Sequence, residues 1–307
     1  MMSSTPANLR AAGLTVLAMA LFSVSDVVVK LLAAVYPTGQ IMAWRGAMTA
    51  LFLGLIVATR RGERSGAVVA ALRDPACWAR AVCEVGVAYC FFTALAHLPI
   101  ADATAVLFVF PVLLIALAAI VLRERVGPLR WVAVAAGLAG VLIILRPGTA
   151  AGTDPAMVWP LAAALFVAGR DLATRFVRPG ATTGAVALTT TLLTTAAGLL
   201  TIAAGGWVPV DGPGLLGFAG SAVLVAVAFL ALVEGTRVGD ISFTAPFRYV
   251  IIPLAFAIGW AVWGRVPDLP VALGTAVIVG SGLFILRGER GGAPKSAVVA
   301  AKGAARA

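Results

Sequence analysis

A succession of apolar stretches, each about 20 residues long, constrains this chain more than any other feature. A stretch of that length crosses the roughly 30 Å hydrocarbon core of a bilayer when it forms an α-helix. In lipid every backbone polar group must be paired within the protein, and a helix does this by itself. The pattern therefore predicts an all-α integral membrane protein with ten transmembrane helices, at residues 11–34, 38–59, 76–96, 100–122, 128–145, 155–177, 181–205, 214–236, 240–263 and 269–286.

The composition supports a membrane location and excludes a soluble domain. Hydrophobic residues make up 61% of the 307 residues and charged residues 12%, whereas soluble domains contain roughly 45–50% and 25%. The net charge of +10 comes largely from basic residues in the short segments between the apolar stretches. We therefore expect the lipid bilayer as a partner and no nucleic acid.

The distribution of lysine and arginine predicts the orientation of the helices. With a cytoplasmic amino terminus, sixteen basic residues fall in the inner segments and two, Arg146 and Arg265, in the outer segments. The positive-inside rule predicts such an imbalance, and one missed helix would remove it. Both termini are therefore predicted to be cytoplasmic, and residues 288–307 are predicted to form a disordered basic tail.

The two halves of the chain carry related charge patterns. Asp26 is followed four residues later by Lys30 in the first predicted helix, and Asp171 is followed by Arg175 in the sixth. This acid-to-base match indicates an internal duplication.

The duplication divides the chain into two repeats of five helices, residues 11–146 and residues 155–287. Because five is odd, the second repeat enters the membrane from the side opposite to the first. The sequence therefore predicts two inverted repeats, an architecture found in many secondary transporters.

Short motifs in both halves resemble the EamA domains of the drug/metabolite transporter superfamily. The motifs of the first half are ADATAVLFVFP at 101–111, RERV at 123–126 and LAGV at 138–141. Those of the second half are FRYVIIPL at 247–254, GRVPD at 264–268 and SGLFILR at 281–287. Together they make the resemblance extend over about residues 11 to 287.

The resemblance implies a multi-pass transporter of a bacterial cytoplasmic (inner) membrane, with a central cavity, a small-molecule substrate and no cofactor. We expect alternating access and, as cargo, an amino acid or related metabolite with a negative or zwitterionic group. A riboflavin or S-adenosylmethionine carrier is the alternative, because the opening of the chain looks most like that subgroup. Ten helices contain both inverted halves, so a monomer or a weak homodimer is expected.

Arg248 is the first candidate for substrate binding because it interrupts a long apolar stretch. A charge near the bilayer centre normally faces a cavity, a partner charge or a substrate. The planar guanidinium suits a carboxylate or a phosphate. Two hypotheses stay open, a substrate anion at Arg248 or a structural ion pair with Asp26, Glu84 or Asp171.

Other charges within the predicted helices are candidates for ion pairs or for coupling. Asp26 and Arg45 lie at similar predicted depth, roughly 10–12 Å from the outer surface, so they can pair or contact the substrate. Arg80 and Glu84 are four residues apart on one helix face, where Arg80 either pairs with Glu84 or extends toward the cytoplasm.

Arg170 and Asp171 are adjacent and point about 100° apart. We therefore predict that they face different partners, one in the cavity and one on a neighbouring helix. The acids Asp26, Glu84 and Asp171 are the candidates for proton coupling, although facilitated transport and exchange are equally consistent with the sequence.

Aromatic residues near these charges are candidates for stacking against a substrate, with helix packing as the simpler role. They are Trp44, Tyr89, Phe108 and Tyr249.

The sequence carries no pattern typical of an enzyme. It contains a single histidine, His97, and its three cysteines all fall in the third predicted helix, so no metal site is expected. It also lacks a Walker loop and a serine elbow. We expect no enzyme activity and no metal; an intramembrane enzyme and a non-transporting sensor are the less favoured alternatives.

Overall fold

The computed structural model of the chain is mainly helical in the residues that it describes, which are 5–59, 65–121, 128–146, 154–178, 180–238 and 245–291. No strand occurs in those ranges. Twelve α-helices are described, α1 (Thr5–Ala33), α2 (Thr38–Thr59), α3 (Ser65–Arg73), α4 (Pro75–His97), α5 (Ile100–Leu107), α6 (Phe110–Val121), α7 (Pro128–Leu145), α8 (Val158–Thr174), α9 (Thr183–Leu200), α10 (Gly212–Val238), α11 (Ile251–Trp263) and α12 (Leu269–Gly291).

Several of these helices are long and apolar enough to cross a membrane, so the protein is a multi-pass membrane protein. Six segments of the described chain meet both conditions, namely Pro6–Ala33, Pro75–His97, Ile100–Val121, Pro155–Thr174, Thr183–Ala204 and Gly212–Leu232. Three shorter apolar helices accompany them, Trp131–Leu145, Phe247–Trp263 and Leu269–Phe284. The short helix α3 was not predicted.

The predicted boundary between the third and fourth helices is confirmed. Helix α4 ends at His97, Leu98 and Pro99 are extended, and α5 begins at Ile100. Because Pro99 lacks an N–H and disfavours helical geometry in the residue before it, the chain turns here.

The predicted fourth helix, 100–122, is interrupted. Helix α5 ends at Leu107 and α6 starts at Phe110, and around the junction the Val109 N–H donates to the Val106 carbonyl, a 3₁₀-type bond. Pro111 has no N–H, so the regular α-helical hydrogen bonds cannot continue through it. The corresponding part of the second half is similar, since Ala245–Val250 forms a 3₁₀ turn before α11.

Two aspartates cap helices and tie the ends of the two halves together. Asp74 caps α4 through the Ala76 N–H and also accepts a hydrogen bond of 2.8 Å from the Arg178 N–H, beyond the end of α8. Asp211 caps α10 through the Gly214 N–H and accepts a hydrogen bond of 2.7 Å from the Tyr36 hydroxyl, beyond the end of α1.

The most extensive helix contacts join the first half of the chain to the second. Helix α1 packs on α10, α4 on α8, α2 on α9 and α7 on α12. Glycines permit the closest approaches: a methyl group added at Gly140 of α7 would lie 2.8 Å from the Gly274 carbonyl oxygen of α12. Packing of small residues is a usual source of helix association in membranes.

Some predictions fall on residues that the structure does not describe. These include the inner arginines Arg60, Arg61, Arg64, Arg123 and Arg125, the boundary at Asp240 and the tail beyond residue 291. The beginning of the predicted tail, 288–291, continues helix α12.

Candidate functional site

A central cavity of about 620 Å³ lies between the two halves of the bundle. Its volume falls in the range of roughly 300–1,000 Å³ that is usual for small-molecule sites. Charged side chains in its wall are four arginines and two carboxylates, Arg45, Arg80, Arg170, Arg248, Glu84 and Asp171. Apolar walls come from Phe22, Phe92, Phe108, Phe110 and Phe229, among others.

Arg170 of α8 forms two ion pairs at the centre of this wall. Its guanidinium lies 3.1 Å from a carboxylate oxygen of Glu84 on α4 and 2.9 Å from one of Asp171. The prediction that Arg170 and Asp171 face different partners is therefore wrong. The Cα–Cβ vectors of adjacent helical residues diverge, but the long arginine side chain bends back, so that both groups line the cavity and both acids contact the same guanidinium.

Arg80 donates a hydrogen bond of 2.6 Å to the Thr190 hydroxyl of α9. Of the two roles predicted for it, a hydrogen-bonded ion pair with Glu84 is not present in the described residues, although the two charges interact electrostatically. Arg80 therefore joins α4 to α9 across the cavity, while Glu84 is paired with Arg170.

Arg45 of α2 uses little of its capacity to donate hydrogen bonds. Within the described chain it donates only to the Ser25 hydroxyl, over 3.2 Å, and its Nε is buried without a partner. Its guanidinium also lies 4.9 Å from the ring centre of Phe92, a cation–π contact. Asp26 interacts with Arg45 electrostatically, without an ion pair within 4 Å and without lining the cavity.

Arg248 lines the cavity from the 3₁₀ turn that precedes α11. It makes no hydrogen bond and no ion pair with any of the residues that the structure describes. Asp171 acts on it electrostatically while bonded to Arg170. Arg248 therefore presents a whole guanidinium to the cavity.

Threonine hydroxyls form much of the remaining polar surface of the cavity. Thr49, Thr174, Thr190, Thr191 and Thr194 all line it. Each donates its hydroxyl proton to the carbonyl four residues earlier in its own helix. These hydroxyls consequently offer lone pairs, not protons, to a ligand.

The four aromatic candidates lie in different places. Phe108 lines the cavity, and Tyr249 is buried behind it, with the two ring centres 5.8 Å apart. Trp44 stacks on Phe218, and Tyr89 packs edge-on against Trp159. Trp44 and Tyr89 are absent from the cavity wall, and both are partly exposed on the outside of the bundle.

Several wall residues were not identified from the sequence, chiefly the threonines of α9 and two phenylalanines, Phe92 and Phe229. The run of threonines at 189–191 and 194–195 contains two pairs at a spacing of four, 190/194 and 191/195, and this spacing is the available signal. Among the described residues no group of three or more histidine, cysteine, aspartate or glutamate side chains is arranged to hold a metal ion.

A second cavity, of about 520 Å³, lies at the opposite end of the bundle. It is lined by Lys30, His97, Asp102, Trp263, Arg265 and Asp268, among others. The Lys30 ammonium donates to the carbonyl oxygens of Leu95 and Leu98 at the end of α4, over 2.7 and 2.6 Å. Lys30 also lies 5.7 Å from the ring centre of Trp263.

Comparison with known proteins finds similarity to transporters. Residues 9–146 match the EamA-like transporter family. A riboflavin transporter of Rhizobium johnstonii is 36% identical over 199 residues, which cover 64% of this chain and 64% of that protein. This chain therefore matches less than two thirds of that relative's length. A pseudopaline exporter of Pseudomonas aeruginosa is 26% identical over 91% of this chain and 96% of its own.

A solved crystal structure has a similar fold. It matches with a TM-score of 0.61 at 22% sequence identity, over 89% of this chain and 96% of the other. At that identity the match concerns the fold alone.

Proposed function

We propose that this chain, which belongs to the EamA-like transporter family through its residues 9–146, is a ten-helix secondary transporter. It moves a small organic metabolite with an acidic group through the central cavity by alternating access. The observation that carries this proposal is Arg248, a guanidinium in a cavity between the two halves with no hydrogen bond or ion pair to any described residue.

The helix packing supports two inverted repeats. Exchanging α1 with α8, α2 with α9, α4 with α10 and α7 with α12 maps the six most extensive helix contacts onto one another. The α1–α10 contact becomes α8–α4, the α4–α9 contact becomes α10–α2, and the α2–α9 and α7–α12 contacts become themselves. The same exchange relates the caps at Asp74 and Asp211. Such a relation allows two nearly equivalent arrangements around one central site.

The position of the cavity supports an inward-open state, in which the site is accessible from the cytoplasm. Arg80 lies near the start of α4 and Thr174 at the end of α8, and the predicted orientation places both toward the cytoplasm. Lys30 and Trp263 close the opposite end, where Lys30 bonds the last carbonyls of α4. We therefore assign the central cavity to the cytoplasmic side and Lys30 to the external closure.

The charge balance of the cavity favours an acidic cargo. Glu84 and Asp171 are bonded to Arg170, so their charges do not pair with Arg248. A guanidinium taken out of water without a partner costs free energy, and a carboxylate or phosphate of the cargo removes that cost. Arg248 thus contacts the acidic group.

The test uses purified protein in detergent and then in proteoliposomes. A thermal-shift screen of organic acids, amino acids, riboflavin, S-adenosylmethionine and sugar phosphates identifies a ligand of the wild type. Arg248→Gln should lower its affinity by about tenfold or more, because a hydrogen bond to a charged group contributes about 1.5–3 kcal/mol. Arg178→Gln, at an exposed arginine outside the cavity, is the matched control and should bind normally.

Two results would contradict the proposal separately. Equal affinity in Arg248→Gln and the wild type would exclude Arg248 as the anion contact. Absence of flux in proteoliposomes for every ligand that stabilises the protein would exclude a transporter. Riboflavin is the second candidate cargo, favoured by the 36% identical riboflavin transporter; because riboflavin has no acidic group, its binding should be insensitive to Arg248→Gln.

A further inference from the structure

We infer that the central site selects organic acids that carry no ammonium group over free amino acids. The inference rests on the proposed function and narrows its cargo from negative or zwitterionic solutes to anions. It depends on which charged and polar groups of the cavity wall are already hydrogen-bonded or ion-paired.

The carboxylates of the site are not available to a substrate ammonium group. Glu84 and Asp171 both bond Arg170, at 3.1 and 2.9 Å. Asp26 also interacts electrostatically with Arg45, but it does not line the cavity. An ammonium group entering the cavity therefore finds no free carboxylate in the described part of the wall.

The arginines make the cavity repel a cation. Four guanidinium groups line it against two carboxylates, an excess of two positive charges in the wall, or one when Asp26 is included. Like charges brought together at a desolvated interface cost several kcal/mol as a general magnitude, so the ammonium of a zwitterion opposes the attraction of its carboxylate. A simple anion meets the attraction alone.

The threonines do not reverse this preference. Thr49, Thr174, Thr191 and Thr194 present lone pairs to the cavity, because each hydroxyl proton is bonded within its own helix. A neutral hydroxyl oxygen accepts a hydrogen bond but does not neutralise a charge. Such lone pairs match the O–H of a hydroxy acid, which is a donor without a charge.

The unused donors of Arg45 favour further oxygen atoms on the cargo. Arg45 donates only to Ser25 within the described chain, although a guanidinium has five N–H groups. Arg248 can donate to the acidic group of the cargo, and Arg45 can donate to additional hydroxyl or carbonyl oxygens. Apolar surface of the same cavity comes from Phe92, Phe108 and Phe110. The favoured class is a hydroxy or keto acid with an apolar or aromatic part.

The test compares two probes that differ in one group. L-3-phenyllactate and L-phenylalanine have the same skeleton and carboxylate, with a hydroxyl in the first where the second has an ammonium. We expect phenyllactate to bind the wild-type protein at least about tenfold more tightly, measured by calorimetry in detergent at pH 7. Phenethylamine, which has the ammonium without the carboxylate, should not bind detectably.

A variant that frees the carboxylates should change the preference. Arg170→Met removes the partner of both Glu84 and Asp171 and lowers the positive charge of the wall, so phenylalanine should gain affinity relative to phenyllactate by about tenfold. If Arg170→Met does not fold, Arg45→Gln lowers the charge without breaking an ion pair and should narrow the preference in the same direction. Arg178→Gln is the control and should keep the wild-type ratio.

The outcomes separate this inference from the proposed function. Equal binding of the two acids, or tighter binding of phenylalanine, would overturn the inference, while sensitivity of both to Arg248→Gln would leave the transporter proposal standing. If neither probe binds the wild type, the aromatic hydroxy acid is wrong as the cargo class. The broad screen and the flux assay then test the transporter on their own.

Discussion

At the scale of single residues, Glu84 and Arg170 give a prediction about stability. Both are largely buried, with 29% and 25% of their side chains exposed, and each is the other's ion-pair partner. Glu84→Gln keeps the shape but removes the charge. We expect it to destabilise the protein by about 2 kcal/mol, below the usual 3–5 kcal/mol for a fully buried pair, because both side chains are partly exposed.

The measurement is the melting temperature of the purified protein, with Glu234→Gln as a control at an exposed glutamate of α10. A Glu84→Gln variant as stable as the wild type would mean that the Arg170 ion pair contributes no stability. The affinity for the cargo should also change, because Asp171 alone would then balance the charge of Arg170.

Individual residues were partly predictable from the sequence. The sequence predicts Arg45, Arg248 and Phe108 as substrate contacts, and all three line the cavity, whereas the predicted contacts Trp44 and Tyr89 do not. The difference has a physical reason. In a membrane helix the lipid-facing side and the packed side are both apolar, so the periodicity that reveals the buried face of a soluble helix is lost.

At the scale of helices, Gly198 gives a prediction about the contact between α2 and α9. A methyl group added there would lie 2.5 Å from the Ala43 nitrogen and 2.6 Å from the Gly39 carbonyl oxygen, both backbone atoms that cannot move aside. Gly198→Ala should therefore force the helices apart and lower stability by about 1–3 kcal/mol.

Gly220→Ala in α10 is the matched control, because nothing lies within 4 Å of the added methyl group. Alanine has the higher helix propensity, so this variant should be neutral or slightly stabilising. Thermal unfolding of both variants in the same detergent measures the difference. A Gly198→Ala protein as stable as Gly220→Ala would contradict the close packing of α2 on α9.

The helix caps give a prediction about pH. Hydrogen bonds from the Arg178 and Ala76 N–H groups lower the pKa of Asp74, and the hydrogen bond from the Tyr36 hydroxyl, with that from the Gly214 N–H, lowers the pKa of Asp211. A carboxylate whose pKa is lower in the folded state stabilises the protein above its unfolded pKa, about 3.9 for aspartate.

That stabilisation should be lost as the pH falls below about 4 and the two carboxylates become protonated. The melting temperature, followed between pH 7 and pH 3, should fall less steeply in Asp74→Asn and Asp211→Asn, which should also melt lower than the wild type at pH 7. Unchanged steepness in both variants would show that other acids dominate the acid sensitivity.

The sequence predicts where one membrane helix ends and the next begins better than it predicts a break inside a helix. The break at Leu98 and Pro99 was evident because proline and a polar histidine interrupt the apolar stretch. The break at Phe108 and Val109 was not, because the residues on both sides of it are as apolar as those of a continuous helix. Pro111 was the available signal, but proline in a membrane helix also occurs in a simple kink.

At the scale of the whole molecule, the proposed topology predicts opposite exposure for the two loops that flank α9. Arg178 follows α8 and Val208 precedes α10, and both are exposed. In a background with the three native cysteines replaced by alanine, Arg178→Cys should react with a membrane-impermeant maleimide only from the cytoplasmic side, and Val208→Cys only from outside. Reaction of both from one side would contradict the topology.

Alternating access predicts that loosening the external closure changes exposure at the cytoplasmic mouth. Lys30 bonds the Leu95 and Leu98 carbonyls and lies against Trp263, so it holds α1, α4 and α11 together at the end that we assign to the outside. Lys30→Met removes both charge-assisted hydrogen bonds and should shift the population toward the outward-open state.

In that state the cytoplasmic mouth is closed, so a cysteine at Thr174 should react more slowly in the Lys30→Met background, by about threefold or more, since even 1.4 kcal/mol changes an equilibrium tenfold. Leu31→Met, at the exposed neighbouring position, is the control for the substitution itself and should leave the rate unchanged. An unchanged rate in Lys30→Met would mean that Lys30 fixes the outer end of α4 in both states. The closure would then depend on other groups around the second cavity, such as the ion pair of 3.0 Å between Arg146 and Asp268.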